Sequence, residues 1–493
     1  MDRIGAITEA NRKWWTLGAM CLSMFMIMLD STVVNVALPS IQKDLDTTVD
    51  QLEWVVNGYT LSFAALLVTG GRLGDIFGRR LIFMVGVAVF AVSSATAGLA
   101  QSPDMLVGSR IAEGIGGALM MPATLSIITD AFPPEERGKA IGTWAGISGL
   151  ALSFGPLAGG FLTEQVSWRA IFYINLPIAA LALIASLAAV RESRDENAER
   201  TVDYVGVALL TIALTAVVLA LIEGNEWGWG SARTIGLLAG GVIATAVFLW
   251  VETRVRAPIV DFDFFRSRNF IGANTVALII SFAMMGSFFF LAIYLQDLLG
   301  FSPLETGVRF LPTTVVIVIA APVAGRVADK LGSRLPMVLG LVITAISLYL
   351  FSRMTATTTY NDLLPAFILL GIGIGITMSP MSTAAMNAVA VDKAGVASGT
   401  LQMFRMMGGT IGVAATGAIF QSKLGVFDPA TLASGGAAAA SNFTDALGAA
   451  MGLGAALTAV GAVIAAVVIS GKPKHELSAH GGPELPRAAG AIG

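Results

Sequence analysis

Apolar residues run through the chain in blocks of about 20, each long enough to cross a bilayer as a helix, with polar residues gathered between them. The blocks fall at 14–38, 54–71, 81–100, 105–128, 138–163, 170–190, 203–223, 234–251, 270–297, 304–325, 335–352, 363–387, 395–421 and 446–470, and predict fourteen transmembrane helices. Composition agrees: of 493 residues, 55% are hydrophobic and 13% charged, about half the soluble norm. The chain reads as an all-α polytopic protein of the cell inner (plasma) membrane. The first block is too long for a signal-peptide core and ends in no small-residue cleavage site, so no cleaved leader is expected. The lone cysteine, Cys21, lies inside that block and leaves no disulfide framework to read.

Lysine and arginine set the orientation. With the N-terminus cytoplasmic, that side holds 22 of the 30 basic residues, and the other side holds only Lys43, Arg169, Arg233, Arg309, Arg353 and Lys423. Arg110 and Arg405 fall inside blocks. Both termini are therefore expected to be cytoplasmic.

One decapeptide recurs. GRLGDIFGRR (71–80) joins the second and third helices, and GRVADKLGSR (325–334) joins the tenth and eleventh. Gly71/Gly325, Arg72/Arg326, Asp75/Asp329, Gly78/Gly332 and Arg80/Arg334 agree. Both copies lie on the cytoplasmic side, so a six-helix repeat requires an even insertion between them. The expected organisation is a six-helix bundle over 1–190 and a linker over 191–269 carrying two inserted helices (203–223 and 234–251). A second six-helix bundle follows over 270–470, then a disordered tail over 471–493. Parallel repeats of this kind are a transporter architecture. Gly71 permits close helix approach and Gly78 a tight turn. Asp75 is expected to face the N-terminal end of the thirteenth helix, near Gly395, and Arg79 or Arg80 to pair with Asp130. Together with Asp329 these residues read as a latch that holds in one state of two rocking bundles.

With these motifs the sequence resembles the major facilitator superfamily, whose loop signature is Gly-x-x-x-Asp-x-x-Gly-Arg-Arg/Lys, and more closely its fourteen-helix drug:proton antiporter branch. The first helix carries LDSTVVNVALP (29–39), the fourth RIAEGIGGA (110–118), the fifth GISGLALSFGPLAGG (146–160), and WRAIFYINLP (168–177) opens the sixth. GVASGTLQMFRMMGGTIG (395–412) extends the likeness into the second half. The resemblance implies the major facilitator fold, two six-helix bundles plus two extra central helices. It also implies multidrug efflux: lipophilic drugs or secondary metabolites exported in exchange for protons. In that family the fifth-helix segment, here Gly146, Gly155, Pro156, Gly159 and Gly160, packs between the halves and disfavours leak. One position departs: Glu113 stands where the pattern commonly has Gln.

The residues narrow the chemistry further. The only histidines, His475 and His480, lie in the tail, and no phosphate-binding Gly-x-x-x-x-Gly-Lys-Ser/Thr loop occurs. No metal cluster or nucleophile–base pair stands out, so neither an enzyme, nor a cofactor, nor a nucleic-acid partner is expected. Proton coupling must then use carboxylates. Asp30 and Glu113 lie about 6 Å and about 5 Å to the outer side of their helix midpoints, with Arg110 about 10 Å out, at 1.5 Å per residue. Arg110 and Glu113 are i, i+3 and share a face. Either they form a structural ion pair, or Arg110 switches partner as one carboxyl is protonated. Asp30 either carries a proton or secures its helix through Ser31, Thr32 or Asn35. Asp297 and Glu223 fall near outer helix ends, where a solvated acid costs little. Met24, Met28, Asn35, Asn57, Tyr59, Met285, Phe289 and Tyr294 are the candidate lining for a lipophilic small molecule, cations included. A monomer embedded in lipid is expected. The alternative is a proton-coupled or facilitative transporter of one metabolite or lipid.

Overall fold

In the computed structural model, the described residues are 8, 11–194, 203–255, 262–389, 394–424 and 436–470; some side chains in 134–153, that of Asp329 and those of 394–395 are not described. The expected tail over 471–493 lies outside the described residues. Fourteen helices carry the fold among those described. They are α1 (Arg12–Leu45), α2 (Val49–Phe77), α3 (Arg79–Gly98), α4 (Pro103–Ala131), α5 (Pro134–Gln165) and α6 (Ala170–Ala189). The inserted pair is α7 (Tyr204–Trp227) and α8 (Ala232–Glu252). Then follow α9 (Arg268–Leu298), α10 (Pro303–Leu331), α11 (Arg334–Ser352), α12 (Tyr360–Met386), α13 (Ala394–Leu424) and α14 (Gly436–Val468). Thirteen are long and apolar enough to cross a membrane; α5, at 32 residues, is the fourteenth of comparable length. α14 starts at Gly436, ten residues before the apolar block at 446–470, because its Ala-rich opening favours helix wherever nothing opposes it.

Local sequence starts and stops these helices. Thr48 and Ser302 open α2 and α10 as capping boxes, with Gln51 and Glu305 answering three residues later. Ser102, Ser231 and Ser267 cap α4, α8 and α9. The two decapeptides turn in the same way: Gly78 (φ +119°) breaks α2 from α3, and Gly332 (φ +83°) breaks α10 from α11, backbone that glycine adopts at least cost.

The packing repeats with an offset of eight helices. In the first half α2 packs on α4, α3 on α4, α1 on α5 and on α6, and α3 on α6; the second half pairs α10 with α12, α11 with α12, α9 with α13 and α14, and α11 with α14. The halves meet along two seams related by the same repeat, α2 with α13 and α5 with α10. The inserted α7 packs on α8, and also on both helices of the α2–α13 seam.

The polar contacts joining the halves gather toward the face where α1 ends, the far face. Gln296 Nε2 donates to the Val36 carbonyl (2.7 Å), the Leu304 N–H to Glu164 (3.0 Å), and Gln421 to Asp50. Among the described residues only the bond from Thr410 to Thr60, at 2.7 Å, lies deeper. The last turn of α9, Tyr294–Leu298, is a π-helix, and it turns Gln296 and Asp297 toward α1.

Close helix approach inside the first half depends on glycine. A Cβ at Gly70 would overlap the Ala118 carbonyl of α4, whereas Gly108 has open space around it. Gly70→Val should therefore cost about 1–3 kcal/mol of stability, seen as a lowered Tm of the detergent-solubilised protein, while Gly108→Ala should leave Tm unchanged or slightly raised.

Candidate functional site

Three ionisable side chains meet in the first half with almost no exposure: Asp30 and Glu113 at 0% and Arg110 at 1%. Arg110 Nη1 donates to Asp30 Oδ2 and to Glu113 Oε2, both at 2.6 Å, and Nε donates to the Val55 carbonyl of α2 at 3.2 Å. The guanidinium lies 4.3 Å from the Tyr59 ring centroid and 5.8 Å from that of Phe172, so aromatic faces supply the rest of its surroundings. Gly114 makes this possible. A side chain there would strike Ser62 and the Tyr59 carbonyl, so its absence lets α2 lie against α4 and bring Tyr59 over Arg110.

Asp30 is fully bonded: its Oδ1 accepts from Asn175 Nδ2 of α6 at 3.2 Å, and Asn175 also donates to Ser94 of α3 at 3.0 Å. The local partners expected for Asp30 are engaged elsewhere, since Ser31 and Thr32 bond the Met28 carbonyl and Asn35 the Ser31 carbonyl. Glu113 differs, for its Oε1 has no hydrogen-bond partner among the described residues. One guanidinium against two carboxylates leaves one negative charge in excess, and a single proton makes the triad neutral. A buried net charge is costly, so a proton has a natural place here.

The expected pocket residues separate. Met24, Met28 and Tyr59 share one buried cluster with Met403 of α13, and Met285 lies beside Gly409 of the same helix. Asn57 is wholly buried with both amide atoms unpartnered among the described residues. Tyr59 belongs to the shell around Arg110. Phe289 and Tyr294 are buried within the second half: Phe289 packs on Phe290, and Tyr294 stacks on Phe443 of α14 and donates to the Thr358 carbonyl. Helical periodicity on α9 does not distinguish a face turned to α14 from one turned to a cavity.

The decapeptide also departs from expectation. Asp75 Oδ1 accepts from Arg79 Nε and Nη2 (3.0 and 2.9 Å), and Arg79 Nη1 reaches Asp130 at 2.5 Å, so the Asp130 partner is Arg79. Arg80 instead bonds the Leu187 carbonyl. Asp75 is thus held by Arg79, the first residue of α3; residues 390–393, the side chains of 394–395 and that of Asp329 lie outside the described residues. Sequence reasoning missed Glu192, whose carboxylate accepts from the Arg80 and Leu81 N–H groups at 3.0 and 3.1 Å and caps α3, and Ser193, which bonds Asp130.

On α5, Gly155 and Gly159 lie against Thr32 and Val33 of α1, Gly160 against Pro303 and Leu304 of α10, and the Pro156 carbonyl against Gly307. Gly146 touches nothing within 4 Å of its missing Cβ, so of the five expected residues Pro156 and Gly160 meet the other half, while Gly155 and Gly159 pack within their own. Asp297, expected to be solvated, has a side chain only 2% exposed, with Lys43 at 3.9 Å. Two outcomes check these contacts. Gly160→Val should splay the α5–α10 seam and lower drug resistance of expressing cells by about tenfold or more, while Gly146→Ala should leave it unchanged, a difference of about 1.4 kcal/mol. Asn175→Ala should weaken the triad by about 1–3 kcal/mol, read as a fall in Tm.

Residues 20–413 match the family model described as Major Facilitator Superfamily. The chain is 38% identical over 415 residues to a tetracenomycin C resistance and export protein of Streptomyces glaucescens, covering 84% of this chain and 77% of that protein. It is 36% identical over 412 residues to the multidrug resistance protein Stp of Mycobacterium tuberculosis (83% and 76%), and 38% identical over 408 residues to the puromycin resistance protein pur8 of Streptomyces alboniger (82% and 81%). Among solved structures, a bacterial homologue of the human lysosomal transporter Spinster, inward-facing and unoccupied, shares the fold with a TM-score of 0.66 at 18% identity, over 93% of this chain and 97% of that one. With its repeated helix packing and the family model spanning most of its length, the chain belongs to the major facilitator superfamily, alongside bacterial drug-resistance and export proteins.

Proposed function

We propose that this protein exports lipophilic drugs or secondary metabolites in exchange for protons, by rocking residues 14–190 against 270–470. The observation that carries this reading is the buried triad, in which Arg110 bridges two acids and one of them, Glu113, keeps an oxygen that Arg110 does not reach. Glu113 is then the group that takes the coupling proton, and Asp30 is the fixed counter-charge secured by Asn175. Protonation of Glu113 releases Arg110 to Asp30, and ionisation restores the shared arrangement. Relatives named for tetracenomycin, puromycin and multidrug resistance support the substrate class. The methionines of α1, in one buried cluster with Met403 of α13, supply a deformable apolar surface that suits varied ligands.

The excess of lysine and arginine places the face where α1 begins in the cytoplasm. In that orientation the polar contacts between the halves gather on the outer side, as in a bundle pair closed outward. The Asp75–Arg79–Asp130 network stays within the first half in this state, as a latch released from its partner would.

Inside-out vesicles with an acidic interior and a trapped pH dye test the reading. Adding lipophilic cations such as puromycin should release protons through the wild-type protein. Glu113→Gln should lower that release by about ten- to hundredfold, the effect of losing about 1.4–2.8 kcal/mol of coupling. Substrate uptake that ignores the gradient in wild type would instead mean facilitated diffusion.

A further inference from the structure

Near the far face, α2, α13 and the inserted α7 meet around a residue that no part of the triad uses. Glu53 is wholly buried, and neither carboxyl oxygen has a hydrogen-bond partner among the described residues. It lies against Gly417 of α13, so closely that a Cβ there would overlap the carboxyl. Beside it, Val218 and Ile222 of α7 form an apolar cluster with Ala414, backed by Trp54.

Among the described residues, the charged groups facing Glu53 are acids: Asp50 one turn earlier on α2, and Glu223 on α7, with Glu226 acting in turn on Asp50. Nearby donors serve those acids, since Gln421 of α13 donates to Asp50 and Trp54 to Glu223. The cations at this end point elsewhere. Lys423 is exposed in the last turn of α13, and Arg233 lies over the Trp227 ring at 5.9 Å. Asp297 makes the contrast, because its equally buried carboxylate keeps Lys43 at 3.9 Å.

A carboxylate enclosed without a donor, beside other acids, is costly; the neutral acid in the same place is not. We propose that Glu53 is a second proton-binding site, distinct from the triad, occupied by a proton drawn from the far-face water whenever α2 and α13 close. This rests on the alternating-access reading above and deepens it. When the halves part at the far face, Gly417 leaves the carboxyl, water reaches it, and the O–H bond breaks, returning the proton to that water. On closure the carboxylate takes a proton back from the same side. The Glu53 proton is therefore not among those exchanged for substrate. It makes acid on the far face favour closure there, and it depends on α7, which shields the seam from lipid.

Spin-label distances across the seam test this. Labels at Thr48→Cys and Ser422→Cys, both exposed sites, are placed in a Cys21→Ala background of the full chain in nanodiscs, and the distance distribution is followed from pH 5 to pH 9. The parent should shift toward longer distances as pH rises. Glu53→Gln, which cannot ionise, should lose that shift and stay closed. In Asp30→Asn/Glu113→Gln, where the triad no longer titrates, the shift should persist and should vanish on adding Glu53→Gln. Opening of Glu53→Gln with the parent's pH profile overturns the proposal. So does a parent seam that opens at no pH, and the vesicle proton-release assay then judges the exchange reading separately.

Discussion

Everything in the first half is arranged around one guanidinium inside a bundle of apolar helices. Arg110 is tolerable there only because two carboxylates, a backbone carbonyl and two aromatic faces replace water around it. That requirement dictates the packing. α1 brings Asp30, α6 brings Asn175 to hold it, α2 brings Val55 and Tyr59, and Gly114 keeps α4 close enough for all of them. The excess carboxylate is what a single bound proton would neutralise.

The repeat then turns a local charge problem into a mechanical one. Because α1–α6 and α9–α14 pack by the same scheme, they meet along two equivalent seams. Glycine and proline set how closely α5 approaches α10, while at the α2–α13 seam the closest neighbour of Gly417 is an ionisable group. The two seams are alike in geometry and different in chemistry.

Much of this was legible in the sequence. Apolar blocks separated by capped or glycine-broken turns define the helices almost one for one, and the paired decapeptides require an even insertion. Asp30, Arg110 and Glu113 stand out because a charge in the middle of an apolar block has few cheap explanations. What escaped was everything decided by contact between distant segments. Asp297 ends one block and so reads as a solvated helix end, and Glu53, one residue before another block, carries no signal of its own; contacts with distant helices bury both side chains. Asn175 and Glu192 act on partners far away in sequence, which no spacing rule encodes. The packing of Tyr294 on α14 was not legible, because a helix that is apolar all round does not show which neighbour each face meets.

The inserted pair gives the molecule a flank. By the repeat alone, the α2–α13 and α5–α10 seams would present identical edges to the surrounding lipid. With α7 laid along the first of them and no inserted-helix packing of similar extent on the second, acyl chains press directly on one seam and on a protein buttress at the other. Lateral pressure in the bilayer therefore acts on the two edges unequally, and the rocking axis is loaded from one side.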